Sequence, residues 1–287
     1  MRITIPENFW HAGDLPARSA SASVDPRRPT FQDARVDLDM RECRFIRPPA
    51  VLWSAVFPLL VVARGSSSTL LVPENVGTCL YLQSVGLFQI LKDAGVRVDD
   101  RGIGSRPDLQ LIVPLTRFST EHDVERLANE AHSALQQAGM GSANLYPVVS
   151  EVFAELALNA VQHAESSVGA FGLIQFYESQ AGRRFICAVA DGGIGIRRSL
   201  ERNPALVDKV AYDWDAVELS LEEGISGTGA RTRGIGLFGV AEDMRKPGRQ
   251  LIIHSGIGML QINDTVQGDP QRTTLFPGTL VAATIAT

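Results

Sequence analysis

The stretch Glu155-Leu-Ala-Leu-Asn159-Ala-Val-Gln-His163 decides how this chain is read. Glu155, Asn159 and His163 fall four apart, so on a helix a carboxylate, an amide and an imidazole stand in one row. An amide oxygen is a hard metal ligand. A carboxylate beside it can ligate a divalent cation or polarise a nucleophile. Polar residues at this spacing also suit a plain solvated face, so the row takes its meaning from the motifs C-terminal to it.

Two strand-like runs come next, AFGLIQFYE and RRFICAVAD, joined by the hairpin-like SQAG. Directly after the second stands Asp191-Gly192-Gly193-Ile194-Gly195-Ile196. A carboxylate at a strand end can accept a hydrogen bond from an exocyclic amine, and glycines let backbone approach a flat base. The same carboxylate would repel a phosphate. A second Gly-rich loop, Gly227-Thr-Gly229-Ala-Arg231-Thr-Arg233-Gly234-Ile-Gly236-Leu237, opens the helix FGVAEDMRK. Backbone N–H groups at a helix N-terminus with two arginines beside them suit a triphosphate. This loop lacks the GK[ST] of a Walker A sequence, and no tight strand-loop-helix unit begins at its first glycine.

An Asn helix, a DxGxG loop and a GxG loop opening a helix, in that order, resemble the GHKL (Bergerat-fold) ATP-binding domain of gyrase, chaperone, histidine-kinase and mismatch-repair ATPases. ELALNAVQHA is most similar to the anti-sigma-factor serine kinases. The resemblance implies ATP and Mg²⁺ as cofactors, with Asn159 as the Mg²⁺ ligand and Glu155 placed to activate water or a hydroxyl, and able to join the metal. It implies that Asp191 holds the adenine amine, with Gly193, Gly195 and Ile196 around the base. Gly234, Gly236 and Leu237 would cradle the phosphates, with Arg231 and Arg233 the lid arginines in a lid running from about residue 197 to 233. Thr279, in the closing PGTLVAATI, would support the adenine through Asp191 and a water. His163 receives no chemical role.

Outward from these motifs, TEHDVERLANEAHSALQQAG carries Val124, Leu127, Ala131 and Leu135 at helical spacing and is closed by Gly139 and Gly141. LIIHSGIGMLQIN and TLVAATIA read as closing strands. Toward the N-terminus, residues 11–34 are rich in Ser, Ala, Pro and Arg without an apolar period, which predicts a loop with little packing after a short first strand. VDLDM, CRFI and TLLVP read as strands, PPAVLWSAVFPLLVVARG as a helix opening on prolines, and VGTCLYLQSVGLFQILKDAGV as a further helical stretch. This N-terminal pattern resembles a STAS domain, the fold of anti-sigma-factor antagonists. Where those proteins carry a phospho-acceptor serine, this chain reads Phe45-Ile46-Arg47-Pro48-Pro49-Ala50, and the nearest hydroxyl is Ser54. Self-phosphorylation there is not expected; the readings left are a regulatory or docking module and a unit that packs as structural support.

The expected organisation is a strand and linker over 1–34, a small STAS-like α/β domain over 35–105, and an ATPase domain over 110–287. The fold class is α/β (α+β), with the ATPase domain a two-layer sandwich of a mixed sheet backed by helices. Composition agrees with a globular protein: 45% of residues are apolar and 21% charged. A formal net charge of −5 argues against nucleic acid and anionic membranes as partners. The run Ala50–Ala63 is shorter than the ~20 residues a membrane span needs, no secretory leader is evident, and cytoplasmic residence is expected. Cys43, Cys79 and Cys187 lie far apart and read as buried thiols. The functional expectation is an ATP-binding protein that hydrolyses ATP or passes its γ-phosphate to a protein, with a protein partner or a second copy. The alternative is a non-catalytic ATP/ADP-sensing scaffold.

Overall fold

A computed structural model describes residues 1–15, 25–27, 34–100, 102, 104, 109–180, 182–225, 236–265 and 268–287. In the N-terminal unit, strands β1 (Arg2–Thr4), β3 (Arg35–Asp39), β5 (Ser67–Leu71) and β6 (Arg97–Val98) form a parallel sheet in that order. The short strands β2 (Asn8–Phe9) and β4 (Phe45–Ile46) pair separately. Helix α1 (Pro48–Ala63) starts on two prolines, where missing N–H groups cost nothing, and carries Pro58 inside it. Fourteen of its sixteen residues are buried and none is charged. A helix apolar all round must be covered all round, and this one is packed on both sides.

The stretch expected as one further helix is two, α2 (Val76–Ser84) and α3 (Leu87–Asp93). Gly86 breaks it, taking a left-handed φ of 92° that a side chain would resist. The little packing expected of residues 11–34 is corrected at their start. Ala12 and Leu15 lie in the core beside a 3₁₀ turn, Ala12–Asp14, whose Ala12 carbonyl accepts from the Thr274 hydroxyl.

The second sheet comprises β10 (Arg249–Asn263), β11 (Gln271–Ala286), β9 (Gly182–Asp191), β8 (Ala170–Ser179) and β7 (Leu111–Phe118), in that order. All four pairings are antiparallel, which corrects the expected mixed sheet; the β8–β9 hairpin, closing at Ser179 opposite Gly182, imposes one of them. Helices α4 (Glu121–Ala138), α5 (Leu145–His163) and α8 (Gly236–Met244) belong to the core on one face, with Phe176, Cys187, Val189, Ala283 and Ile285. In α4 the residues with helical spacing, Val124, Leu127, Ala131 and Leu135, are the buried ones, and Thr120 and Asp123 form a capping box.

The opposite face is not left open, as a two-layer arrangement would leave it. Leu173, Ala188, Ala190, Leu280 and Ala282 share a core there with α1 and the parallel sheet. This explains why β8 and β9 read as near-continuous apolar runs: both faces of these strands are covered. The chain is therefore an α+β protein in which a parallel and an antiparallel sheet are bridged by one buried helix. No helix among the described residues is long and apolar enough to cross a membrane.

Candidate functional site

Helix α5 buries Val149, Val152, Phe153, Leu156, Ala157 and Ala160 against the sheet. Glu155, Asn159 and His163 run along the border of that stripe, each half-buried. Burial raises the Glu155 carboxyl above its ordinary value, the Gly236 N–H that it accepts lowers it in part, and the charge of Glu151 raises it further. The side-chain nitrogen of Asn159 is buried without a hydrogen-bond partner. His163 is held below its usual range by burial and by the charge of Arg202. Gly236 opens α8, so Glu155 stands at the N-terminal end of that helix.

Strand β9 ends at Asp191, whose side chain lies in a box of backbone groups. Oδ1 accepts from the Gly193 N–H at 2.8 Å and from the Thr279 N–H at 3.3 Å. Among the described residues no donor reaches Oδ2. Burial pushes the carboxyl up to about 7, against the two N–H donors and the charge of Arg27, which lower it. At neutral pH this group is divided between acid and carboxylate, an unusual state for an aspartate.

Glycines make the box possible. The Ile194 N–H donates to the Ala164 carbonyl at the end of α5, and a Cβ on Gly193 would fall 1.9 Å from that oxygen. A Cβ on Gly278, at φ 137°, would fall 2.1 Å from the Asp191 carbonyl oxygen. The loop and β11 can pass this close only as glycine. Ser255 ties the far wall together. It accepts from the Ile196 N–H at 2.9 Å, donates to the Gly278 carbonyl at 3.1 Å, and lies 3.1 Å from the Thr279 hydroxyl.

The expected residues converge in part. Glu155 meets Gly236, Asp191 meets Gly193 and Thr279, and the end of α5 meets the Asp191 loop. Thr279 reaches Asp191 through its backbone N–H and turns its hydroxyl toward Ser255. Gly195 takes a φ of 80° at the start of a short helix, α6 (Gly195–Leu200). Ile196 and Leu237 are partly buried and pack on the core beneath the loops. Arg231, Arg233 and Gly234 lie outside the described residues, as does residue 226 onward of the expected lid.

Three residues emerge that sequence reading missed. Ser255 sits inside a strand with nothing to mark it, and Ser166 donates to the Gly169 carbonyl while its oxygen accepts from the Gly192 N–H at 3.2 Å. Arg27 donates to the Gly193 carbonyl at 2.8 Å from a segment that reads as linker. Gly278, inside the quoted PGTL, was the one available signal. Among the described residues no cluster of three or more His, Cys, Asp or Glu could cage a metal by itself. A divalent cation here would depend on Asn159, Glu155 and a ligand's own oxygens. No family model matches the chain, and it has no match among the curated proteins.

Proposed function

We propose that this chain is a Mg-ATP-dependent regulatory protein of the GHKL class, which hydrolyses ATP or transfers its γ-phosphate to a protein. One observation carries the reading: Asp191, with one oxygen held by two backbone N–H groups and the other free of donors among the described residues, stands beside the helix bearing Glu155 and Asn159. A carboxylate oxygen without a donor in a buried box of backbone groups is the acceptor that an exocyclic amine of a purine needs. The glycine contacts supply the flat approach.

The residues present fit the cofactors. The Asn159 side-chain oxygen would ligate Mg²⁺, with Glu155 as a second protein oxygen, and the unpartnered Asn159 NH₂ would donate to an oxygen of the bound ligand. The first-turn N–H groups of α8 would receive phosphate oxygens. Bound Mg²⁺ supplies charge neutralisation on the phosphates. Asp191 orients the base, and Glu155, its carboxyl raised by burial, accepts a proton from water or a hydroxyl. Arg231 and Arg233 would close over the phosphates from the lid.

The STAS-like unit supplies regulation or docking and not a phosphate acceptor. Ser54 is fully buried and donates to the Ala50 carbonyl at 2.8 Å. The working place is the cytoplasm, with a protein partner or a second copy as recipient of the signal. One observation favours the sensing scaffold as the second reading: Glu155 accepts the N–H of Gly236, a helix-capping role that needs no catalysis.

Purified protein and Glu155→Ala, incubated with Mg²⁺ and γ-labelled ATP, separate these. Free phosphate lost in the variant identifies an ATPase, and label on protein identifies a kinase. Nucleotide binding with neither, unchanged in Glu155→Ala, leaves the scaffold, and no binding at all overturns the class.

A further inference from the structure

Arg27 reaches the Asp191 loop from the segment that precedes β3, across 166 residues of chain. The local sequence prepares it for that reach. In Asp25-Pro26-Arg27 the Asp25 Oδ1 accepts the Arg27 backbone N–H at 3.0 Å, a turn that the fixed φ of the intervening proline favours. The same carboxylate holds the guanidinium in a fork, with Nε at 2.8 Å from Oδ1 and Nη2 at 2.9 Å from Oδ2. A planar guanidinium held at two nitrogens has its third, Nη1, aimed by the other two. Nη1 donates to the Gly193 carbonyl at 2.8 Å. Pro26 is buried, and the Arg27 and Asp25 side chains are only 19% and 16% exposed, so this pair is seated in the protein and not on its rim.

The Gly193 carbonyl belongs to the peptide that joins Gly193 to Ile194. The N–H at the other end of that peptide donates to the Ala164 carbonyl at 2.8 Å. One rigid peptide plane is therefore held at both ends, by the end of α5 on one side and by the N-terminal segment on the other. Its orientation sets that of the preceding N–H, from Gly193, which is the 2.8 Å donor to Asp191 Oδ1. Glycine is required at position 193 by the approach to Ala164, and its backbone freedom must be removed by bonds from outside. Ser166 fixes the Gly192 N–H and Arg27 fixes the Gly193 carbonyl. Arg27 is also the charged side chain that acts on Asp191 among the described residues, lowering a carboxyl that burial raises, with Asp25 as its own partner.

We propose that Arg27 is a positioning residue of the nucleotide site, supplied by the N-terminal segment, which locks the Gly193–Ile194 peptide so that Asp191 presents its second oxygen to the base. The inference rests on the nucleotide reading and adds to it that the site is complete only when residues 25–27 are seated.

The test is calorimetry of ATP binding in Mg²⁺ from pH 6 to pH 9, with the full chain, Arg27→Met and Asp25→Asn. Carbon NMR of the Asp191 carboxyl, identified by its absence in Asp191→Asn, follows the titration without nucleotide. Arg27→Met is expected to bind ATP about tenfold more weakly at pH 7, with the carboxyl titration and the rise of affinity with pH both displaced upward. Asp25→Asn keeps the guanidinium and removes its fork. It is expected to weaken binding in the same direction, and it carries the test if Arg27→Met fails to fold. An arginine that only tethered its segment would cost stability in urea and leave affinity and titration at their wild-type values, which overturns the proposal. A displaced titration with unchanged affinity overturns it too, because the charge would then act without positioning. If the wild type binds no ATP at any pH, the nucleotide reading falls and takes this inference with it. Wild-type affinity retained in both variants leaves that reading standing and removes only Arg27 from the site.

Discussion

Replacing Asp191 by Asn tests whether the box at the end of β9 is built for a ligand or for the fold. The folded carboxyl titrates at about 7 against 3.8 for an unperturbed aspartate, so the native state holds a proton that the unfolded chain releases between those values. Because the folded value is raised, the stability it contributes is complete below pH 3.8 and is lost as pH rises through about 7. At 1.36 kcal/mol per pH unit, the full loss is about 4 kcal/mol. The asparagine side chain is neutral at every pH, and its oxygen can keep the N–H bonds of Gly193 and Thr279, since both end on Oδ1.

The variant is therefore expected to be more stable than the wild type at pH 8.5, by about 2–4 kcal/mol, with the gap closing toward pH 4. Urea denaturation of both proteins from pH 4 to 8.5, without nucleotide, measures it. In the same variant ATP binding should fail, because the side-chain NH₂ would present a donor to the donor of the base. A variant no more stable than wild type at pH 8.5, or a gap that does not change with pH, would refute the buried-carboxylate argument. Gained stability with unaltered ATP affinity would refute the assignment of the base to Asp191.

Three further outcomes rest on the same geometry. If the ionised Asp191 receives the base, ATP affinity measured by calorimetry should rise about tenfold between pH 6 and pH 8, as the fraction of carboxylate rises through a value of about 7. Gly193→Ala places a methyl 1.9 Å from the Ala164 carbonyl oxygen, so the loop must leave α5; a loss of about 3 kcal/mol in urea melts is expected, together with loss of nucleotide binding. Ser255→Ala leaves the buried N–H of Ile196 without its acceptor and should cost about 1–3 kcal/mol at any pH between 6 and 8.

The elements that sequence reading found are those whose signal is local. Helix α4 announces itself by four apolar residues at helical spacing and by the glycine that closes it, and both are realised. Glu155 and Asn159 follow from position on one helix, and Asp191 from a carboxylate at a strand's end followed by glycines. The illegible parts depend on contacts distant in sequence. The Asp191 box is closed by Thr279 and Gly278, and Arg27 reaches Gly193 across 166 residues. The layer count failed for the same reason. Apolar residues on both faces of β8 and β9 announce double burial, and the uncharged α1 announces a helix needing cover, yet neither pattern states that each covers the other.

That mutual cover bears on how the N-terminal unit can act. A docking module tethered to an independent ATPase would touch it through a linker, whereas here α1 shares its core with β8, β9 and β11. Its Leu60 approaches the Asp191 loop so closely that a Cβ on Gly192 would lie 3.0 Å from Leu60 Cδ2. Arg27 grips the carbonyl of the next residue, Gly193, while paired to Asp25 at 2.8 Å, and its charge is one of the influences that hold the Asp191 carboxyl down. A packed core moves between discrete arrangements and does not deform continuously. Any event that shifts α1 or the Asp25–Arg27 segment therefore acts on the backbone that shapes the Asp191 box, and on the charge of its carboxylate. The N-terminal unit is joined to the candidate site by direct packing, so the regulation proposed for it would act through that contact.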